Sequence, residues 1–259
     1  MPFININQLK LFYVENKLKG TPLLFIHGWL GSSLEWIYQA AYFRSRDHII
    51  LLDLPGYGKS DKPNENYSID FFSNVIVDFI HQLGYNETIL IGHSLGGLIA
   101  QNIAIQNPKL VNKLILISTS AISQPSFNKF LLFWINVIFR INYTNFLKRT
   151  LKRINSIEAE NREFRRQLKY ALTIPKPVVL STFNNMTFKF NKNENITNIF
   201  QPTLILYGAD DRIITESEIV TLDSLIPNSE LYIIENSPHR VMVKSHDRVN
   251  KLIQGFVMI

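Results

Sequence analysis

The sequence predicts an α/β fold in which a mostly parallel sheet is covered by helices on both faces. Short, continuous apolar runs alternate with amphipathic stretches along most of the chain. Strands that are buried on both faces give such continuous runs, and helical connections between them are the right-handed crossovers of a parallel sheet. With 259 residues and 46% hydrophobic content, the chain is large enough for one sizeable core.

The first half of the chain contains a predicted hairpin and four buried strands. Apolar alternation over residues 3–14, interrupted at Asn7 and Gln8, predicts the hairpin. The buried strands are predicted at Leu23–Ile26, Ile49–Leu52, Ile89–Ile91 and Lys113–Ile117. Ser68 can cap a helix over residues 69–83, which Gly84 ends. Helical stretches are also expected through Trp36–Phe43 and Leu95–Ile105.

The alternation stops after Ser120 and resumes at Pro202. Residues 121–200 contain no buried-strand pattern and look helical, so we expect a helical cap inserted into a core of residues 1–120 and 201–259. After the cap, the patterns predict strands at 202–208 and 230–234, and helices at 216–225 and about 247–257.

Charge is distributed unevenly between the predicted cap and core. Residues 121–200 carry 13 Lys/Arg against 4 Asp/Glu, whereas the remainder carries 14 against 17. The basic side chains include Lys148, Arg149, Lys152, Arg153, Arg162, Arg165, Arg166 and Lys169. They follow Phe127–Arg140, the most apolar helix candidate, whose polar residues fall on one narrow side.

Three interpretations of this cap remain open. Its apolar helix could line an acyl pocket with a solvated basic face, its basic surface could dock an acidic partner such as an acyl carrier protein, or the helix could lie on an anionic membrane. Nucleic acid is not expected, because no motif that binds or recognises it accompanies the charge.

Composition excludes several classes of chemistry. The absence of cysteine excludes disulfides, thiol catalysis and thiolate zinc sites. The first residues do not resemble a signal peptide, and no apolar run approaches the ~20 residues of a membrane span. We therefore expect a cytoplasmic protein.

Gly92-His93-Ser94-Leu95-Gly96 joins a predicted strand to a predicted helix and fits the pattern G-x-S-x-G. In this nucleophile elbow the serine lies on a sharp, strained turn, and the flanking glycines let neighbouring backbone pass without Cβ clashes. The helix that follows presents unpaired N–H groups and a positive dipole to a developing oxyanion. Ser94 is therefore a candidate nucleophile.

An acidic pair and a histidine follow the last two predicted strands. Asp210 and Asp211 come after Gly208, and His239 ends the next loop. The carboxyl ends of parallel strands form one edge of a sheet, so we expect these side chains near Ser94. A serine needs an imidazole to accept its proton, and the imidazole needs a carboxylate to fix its tautomer. His27 and His93 flank the site at positions where a structural role is expected, and His48, His81 and His246 lack any motif context.

These segments together resemble the serine hydrolases of the α/β-hydrolase superfamily. The matching motifs are His27-Gly28-Trp29, Asp53 to Ser60, Gly92 to Gly97, Gly208 to Asp211 and Pro238-His239. The resemblance implies that Ser94 is the nucleophile, His239 the general base and Asp211 the orienting acid. Asp210 is the competing acid, but the family's acid stands three residues after the glycine that ends its strand. The resemblance also implies an oxyanion hole made by the backbone N–H groups of Trp29 and Leu95.

One residue departs from the family pattern, and one excludes related chemistries. Pro238 stands where the family usually has glycine, so we expect the loop before His239 to follow a different path. Relatives that cleave carbon–halogen bonds or epoxides carry aspartate at the Ser94 position. The resemblance therefore implies an ester hydrolase acting on a substrate with an apolar acyl portion, with no metal or organic cofactor. The alternatives are a carbon–carbon bond hydrolase, an esterase for carrier-bound acyl methyl esters, and a binding protein on the same scaffold.

Overall fold

A mostly parallel sheet of eight strands forms the centre of the protein. The computed structural model describes residues 3–121, 137, 142–145, 148–149, 168–186 and 196–258. Its strands are β1 (Phe3–Ile6), β2 (Leu9–Glu15), β3 (Leu23–Ile26), β4 (Ile49–Leu52), β5 (Thr88–His93), β6 (Val111–Ile117), β7 (Thr203–Gly208) and β8 (Ser229–Ile234). They lie in the order β1-β2-β4-β3-β5-β6-β7-β8, and β2 is antiparallel to both of its neighbours. The predicted fold class is confirmed.

Burial on both faces explains the continuous apolar runs of the central strands. Every residue of β3, β4, β5 and β7 is buried. Along β3, Leu24 and Ile26 join the core on one face of the sheet, whereas Leu23 and Phe25 join the core on the other. β3 and β4 have the predicted bounds, but β6 begins two residues earlier than predicted. The pairing register shifts at that point, and the exposed Asn112 interrupts the apolar pattern.

Helices cover both faces of the sheet. The helices are α1 (Ile37–Phe43), α2 (Ile69–Gln82), α3 (Leu95–Gln106), α4 (Lys176–Asn184), α5 (Glu216–Leu225), α6 (Val241–Lys244) and α7 (His246–Met258). α2, α3, α4 and α5 contribute to one core, and α1, α6 and α7 contribute to the other. As predicted, the Ser68 hydroxyl caps α2 by accepting a hydrogen bond from the N–H of Phe71 at 3.0 Å. None of the helices in the described ranges is both long and apolar enough to cross a membrane.

The chain leaves the sheet after β6 and returns in β7, directly beside it. Between these strands, α4 buries Val178, Val179 and Thr182 against the core on the α2 and α3 side. The helix predicted over Phe127–Arg140 lies outside the described residues except for Val137, which is helical. Lys152, Arg153, Arg162, Arg165 and Arg166 also lie outside them, whereas Lys148, Arg149 and Lys169 are described and exposed.

The Ser68 cap gives a direct test of local stability. Ser68→Ala removes the side-chain acceptor of the Phe71 N–H, so we expect the free energy of unfolding to fall by about 1 kcal/mol. Urea unfolding followed by circular dichroism measures the change. Ser224→Ala is the matched control, because Ser224 lies exposed near the end of α5 and its hydroxyl donates only within that helix, to the carbonyl of Thr221. An equal loss in both variants would contradict the capping role.

Candidate active site

Ser94 occupies a strained turn between β5 and α3. Its backbone has φ 51° and ψ −114°, a conformation that a residue with a side chain rarely adopts. A Cβ on Gly92 would lie 2.3 Å from the carbonyl oxygen of Gly96, and a Cβ on Gly96 would lie 2.1 Å from that of Ile26. The Ser94 N–H donates to the carbonyl of Ile117 at 3.0 Å, which fixes the turn to β6. The structure therefore has the tight turn that the motif predicts.

The two predicted oxyanion donors lie on neighbouring segments at this edge. Leu95 is the first residue of α3, so its N–H has no partner four residues earlier within the helix. Trp29 follows β3, which pairs with β5, and the next residue, Leu30, has a positive φ of 62°. The close contact of Gly96 with the carbonyls of Ile26 and His27 holds the start of α3 against the Trp29 segment.

Asp211 and His239 form a buried hydrogen-bonded pair. The Nδ1–H of His239 donates to Oδ2 of Asp211 at 2.7 Å, which leaves Nε2 available for proton transfer. Oδ1 of Asp211 accepts from the N–H groups of Ile213 at 2.7 Å and Ile214 at 3.1 Å. Burial alone would raise the pKa of Asp211, but the histidine and the two backbone donors together lower it below its usual range. Asp210, the competing acid, is exposed.

Pro238 does not keep His239 from its partner. The carbonyls of Ser237 and Pro238 pack against Gly208, where a Cβ would lie 2.3 and 2.6 Å from them. The Asp210 N–H also donates to the carbonyl of Ser237 at 2.9 Å. This packing joins the loop after β8 to the loop after β7, which brings His239 within reach of Asp211.

The remaining histidines are not placed beside Asp211. His27 donates from Nδ1 to the carbonyl of Gly28 at 2.8 Å and accepts at Nε2 from the N–H of Leu54 at 3.1 Å, the pattern of a neutral ring. Its pKa is lowered, chiefly by burial. His48 contacts Glu15 at 2.9 Å, His246 stacks on Tyr38 and His81 is exposed.

Glu35 and Arg240 were not predicted from the sequence, yet both lie buried beside the candidate residues. Oε2 of Glu35 accepts from the N–H of Gly28 at 2.8 Å, and Oε1 accepts from Nε of Arg240 at 3.2 Å. Nδ1 of His93 lies 3.1 Å from Oε1 but outside hydrogen-bonding geometry, and the contact becomes an ion pair only when the ring is protonated. Burial is the main cause that lowers the pKa of His93. Burial alone would raise the pKa of Glu35, but His93, Arg240 and the Gly28 N–H lower it below its usual range. The sequence contained two signals for this pair: a charged residue next to Trp36, and another directly after His239.

A family comparison identifies the fold. The model of the alpha/beta hydrolase fold matches residues 21–244. The chain belongs to this hydrolase family. Within the described ranges, no group of three or more His, Asp or Glu side chains is placed to hold a metal ion in this hydrolase.

Individual relatives of this hydrolase differ in what their names state. Mouse "Epoxide hydrolase 4" is 30% identical over 281 residues, covering 96% of this chain and 76% of that protein. "Pimeloyl-[acyl-carrier protein] methyl ester esterase" from Aeromonas hydrophila is 25% identical and covers 94% and 98%. The solved esterase EaEST from Exiguobacterium antarcticum superposes with a TM-score of 0.91 at 20% identity, over 99% of each chain. Human Epoxide hydrolase 4 is matched over only 31% of its length.

The elbow glycines allow a test of the turn. Gly96→Ala places a Cβ against the rigid backbone carbonyl of Ile26, so we expect at least about 2 kcal/mol of lost stability. Gly255→Ala, within α7, has nothing within 4 Å of the added carbon, so it should stabilise by about 0.5–1 kcal/mol. Urea unfolding measures both, and equal behaviour of the two variants would contradict the close packing at the elbow.

Proposed function

We propose that this hydrolase cleaves carboxylic esters with an apolar acyl portion through an acyl-enzyme on Ser94. The observation that carries the proposal is the buried Asp211–His239 hydrogen bond, at the same sheet edge as a serine held in a strained turn. Backbone strain of this kind is typical of functional sites, and an aspartate bonded to Nδ1 of a histidine is the arrangement that prepares Nε2 to accept a proton.

The proposed reaction uses five groups of this chain. His239 removes the proton from the Ser94 hydroxyl as its oxygen attacks the ester carbonyl, and Asp211 stabilises the imidazolium that forms. The N–H groups of Trp29 and Leu95 donate to the developing oxyanion, each contributing roughly 3 kcal/mol in comparable sites. His239 then protonates the departing alcohol. A water molecule, deprotonated by the same histidine, hydrolyses the acyl-enzyme and regenerates Ser94.

The serine itself argues against epoxide opening, the activity that several relatives' names carry. A serine oxygen that opened an epoxide would form an alkyl ether, which has no carbonyl for water to attack. A serine that attacks an ester forms a new ester, which water hydrolyses with the same base and oxyanion donors. Ser94 therefore favours acyl chemistry over epoxide chemistry.

Apolar groups beside the Trp29 segment support an apolar acyl portion. The rings of Trp29 and Phe183 lie 5.4 Å apart, which brings α4 next to one of the proposed oxyanion donors. α4 is tied to the core by a hydrogen bond of 3.0 Å from Tyr57 to Thr182. An apolar acyl group bound beside the Trp29 segment would contact these aromatic side chains.

A carrier-bound substrate and a second reaction are the alternatives. The Aeromonas relative is named for a carrier-bound acyl methyl ester, and the excess of basic residues over 121–200 suits an acidic carrier or an anionic membrane. Cleavage of a carbon–carbon bond next to a ketone is the second candidate reaction, because it uses the same three residue types. A solved meta-cleavage product hydrolase shares the fold, with a TM-score of 0.83 at 19% identity.

Labelling and turnover test the proposal together. We expect a fluorophosphonate to label the protein stoichiometrically, and Ser94→Ala to abolish labelling. p-Nitrophenyl esters of increasing acyl length should then be hydrolysed with a preference for longer chains, because the acyl portion buries apolar surface. Absence of labelling would support a binding protein instead. Labelling without turnover of any ester would favour carbon–carbon cleavage, and preference for carrier-linked over free methyl esters would favour the carrier-bound substrate.

The two neighbouring aspartates provide a matched pair of variants. Asp211→Asn keeps the shape of the acid but no longer fixes the required His239 tautomer, so we expect kcat to fall about 10⁴-fold. Asp210→Asn changes an exposed carboxylate of the same loop and should leave kcat within about threefold. Steady-state kinetics on one p-nitrophenyl ester measures both. Comparable losses would contradict the assignment of Asp211 as the acid.

A further inference from the structure

One buried carboxylate contacts all three segments that carry the proposed reaction. The oxyanion loop (residues 27–31), the end of β5 and the base loop (residues 235–240) are far apart in sequence. Glu35 accepts from the N–H of Gly28, the residue before Trp29. The same carboxylate lies against His93, the residue before Ser94, and binds Arg240, the residue after His239. Each contact is made one residue away from a proposed reacting group.

A second connection closes this network. Nε2–H of His93 donates to the backbone carbonyl of His239 at 3.1 Å, so the residue before the nucleophile also holds the main chain of the base. The rings of His93 and His239 lie 4.9 Å apart. Gly28 fits against this network only because it has no side chain. A Cβ at this position would lie 2.8 Å from Nδ1 of His93.

The free-energy cost of burying these charged groups suggests that they serve to position the loops rather than to stabilise the fold. The side chains of Glu35, His93 and Arg240 are each no more than 6% exposed. Removing an ion pair from water costs about as much free energy as its attraction returns, and apolar replacements are often neutral or stabilising. A carboxylate in this place offers two oxygens that accept from several directions, which fixes the relative geometry of the groups it joins.

We propose that Glu35 is a positioning residue that holds the oxyanion loop, the end of β5 and the base loop in the geometry required for catalysis. This inference rests on the proposed function, because it assumes that Ser94 and His239 react. Displacements of about 1 Å at a reacting centre can reduce rates about 100-fold, so a change at Glu35 should appear in kcat although the residue touches no substrate.

The test variant removes the charge of Glu35 and keeps the shape of its side chain. Glu35→Gln retains an oxygen for the Gly28 N–H but loses the negative charge that faces Arg240. We expect kcat on a p-nitrophenyl ester, expressed per fluorophosphonate-titrated Ser94, to fall about 10- to 100-fold, with KM within about twofold. The rate constant of fluorophosphonate labelling should fall with kcat, because both depend on the same alignment.

Glu15→Gln is the matched control. Glu15 is also a buried carboxylate next to a histidine, with Oε1 2.9 Å from Nε2 of His48. It pairs with Ile50 near the start of β4, at the opposite end of the parallel strands from Ser94. We expect Glu15→Gln to lower Tm but to leave kcat per labelled site unchanged. If Glu35→Gln also lowers Tm and leaves kcat per labelled site unchanged, Glu35 is merely structural and the proposal is overturned.

Arg240→Gln tests the same network from the other side and serves if Glu35→Gln does not fold. It should lower kcat per labelled site as well, and the double variant should lose less than the product of the two single losses, because both changes act on one network. Fully multiplicative losses would contradict a shared role. Failure of the unaltered protein to label at Ser94 would overturn the proposed function itself, a result separate from any effect of Glu35.

Discussion

The contact between the start of α3 and the end of β3 is the constraint on which the rest of the site depends. Gly96 approaches the carbonyl of Ile26 so closely that no Cβ fits between them. This approach requires the chain to turn sharply at Ser94, and the turn places residue 94 in a conformation with positive φ. The N-terminus of α3 then lies beside the Trp29 segment. Steric exclusion at a glycine thus decides where the candidate nucleophile and both candidate oxyanion donors lie.

Apolar burial and polar contacts have separate tasks in this structure. Two apolar cores, one on each face of the sheet, hold the helices against the strands. The loops at the carboxyl edge are held instead by buried carboxylates. Asp53 accepts from the N–H groups of Ser33 at 2.6 Å and Lys59 at 2.8 Å, as Glu35 does from Gly28. Loops need such acceptors because their backbone donors have no strand or helix partners.

Membership of the alpha/beta hydrolase family establishes the type of scaffold but not the substrate. Relatives named for epoxides and for carrier-bound esters match the same chain. What separates these chemistries is the side chain that attacks. A carboxylate that opens an epoxide forms an ester, which water can hydrolyse, whereas a serine that opens an epoxide forms an ether, which water cannot hydrolyse in the same way. The identity of residue 94 therefore carries more weight for the reaction than the overall similarity does.

The sequence by itself determined the strands that are buried on both faces, the cap of α2 and the elbow, because each depends on residues close together along the chain. The limits of β3 and β4 and the role of Ser68 were predicted correctly for this reason. The spacing from Gly208 favoured Asp211 over Asp210, and the tertiary structure shows Asp211 bonded to His239. Only the tertiary structure revealed Glu35 between Gly28, His93 and Arg240. These contacts join residues from different loops, and their geometry follows from how the strands are ordered in the sheet, which no local pattern encodes.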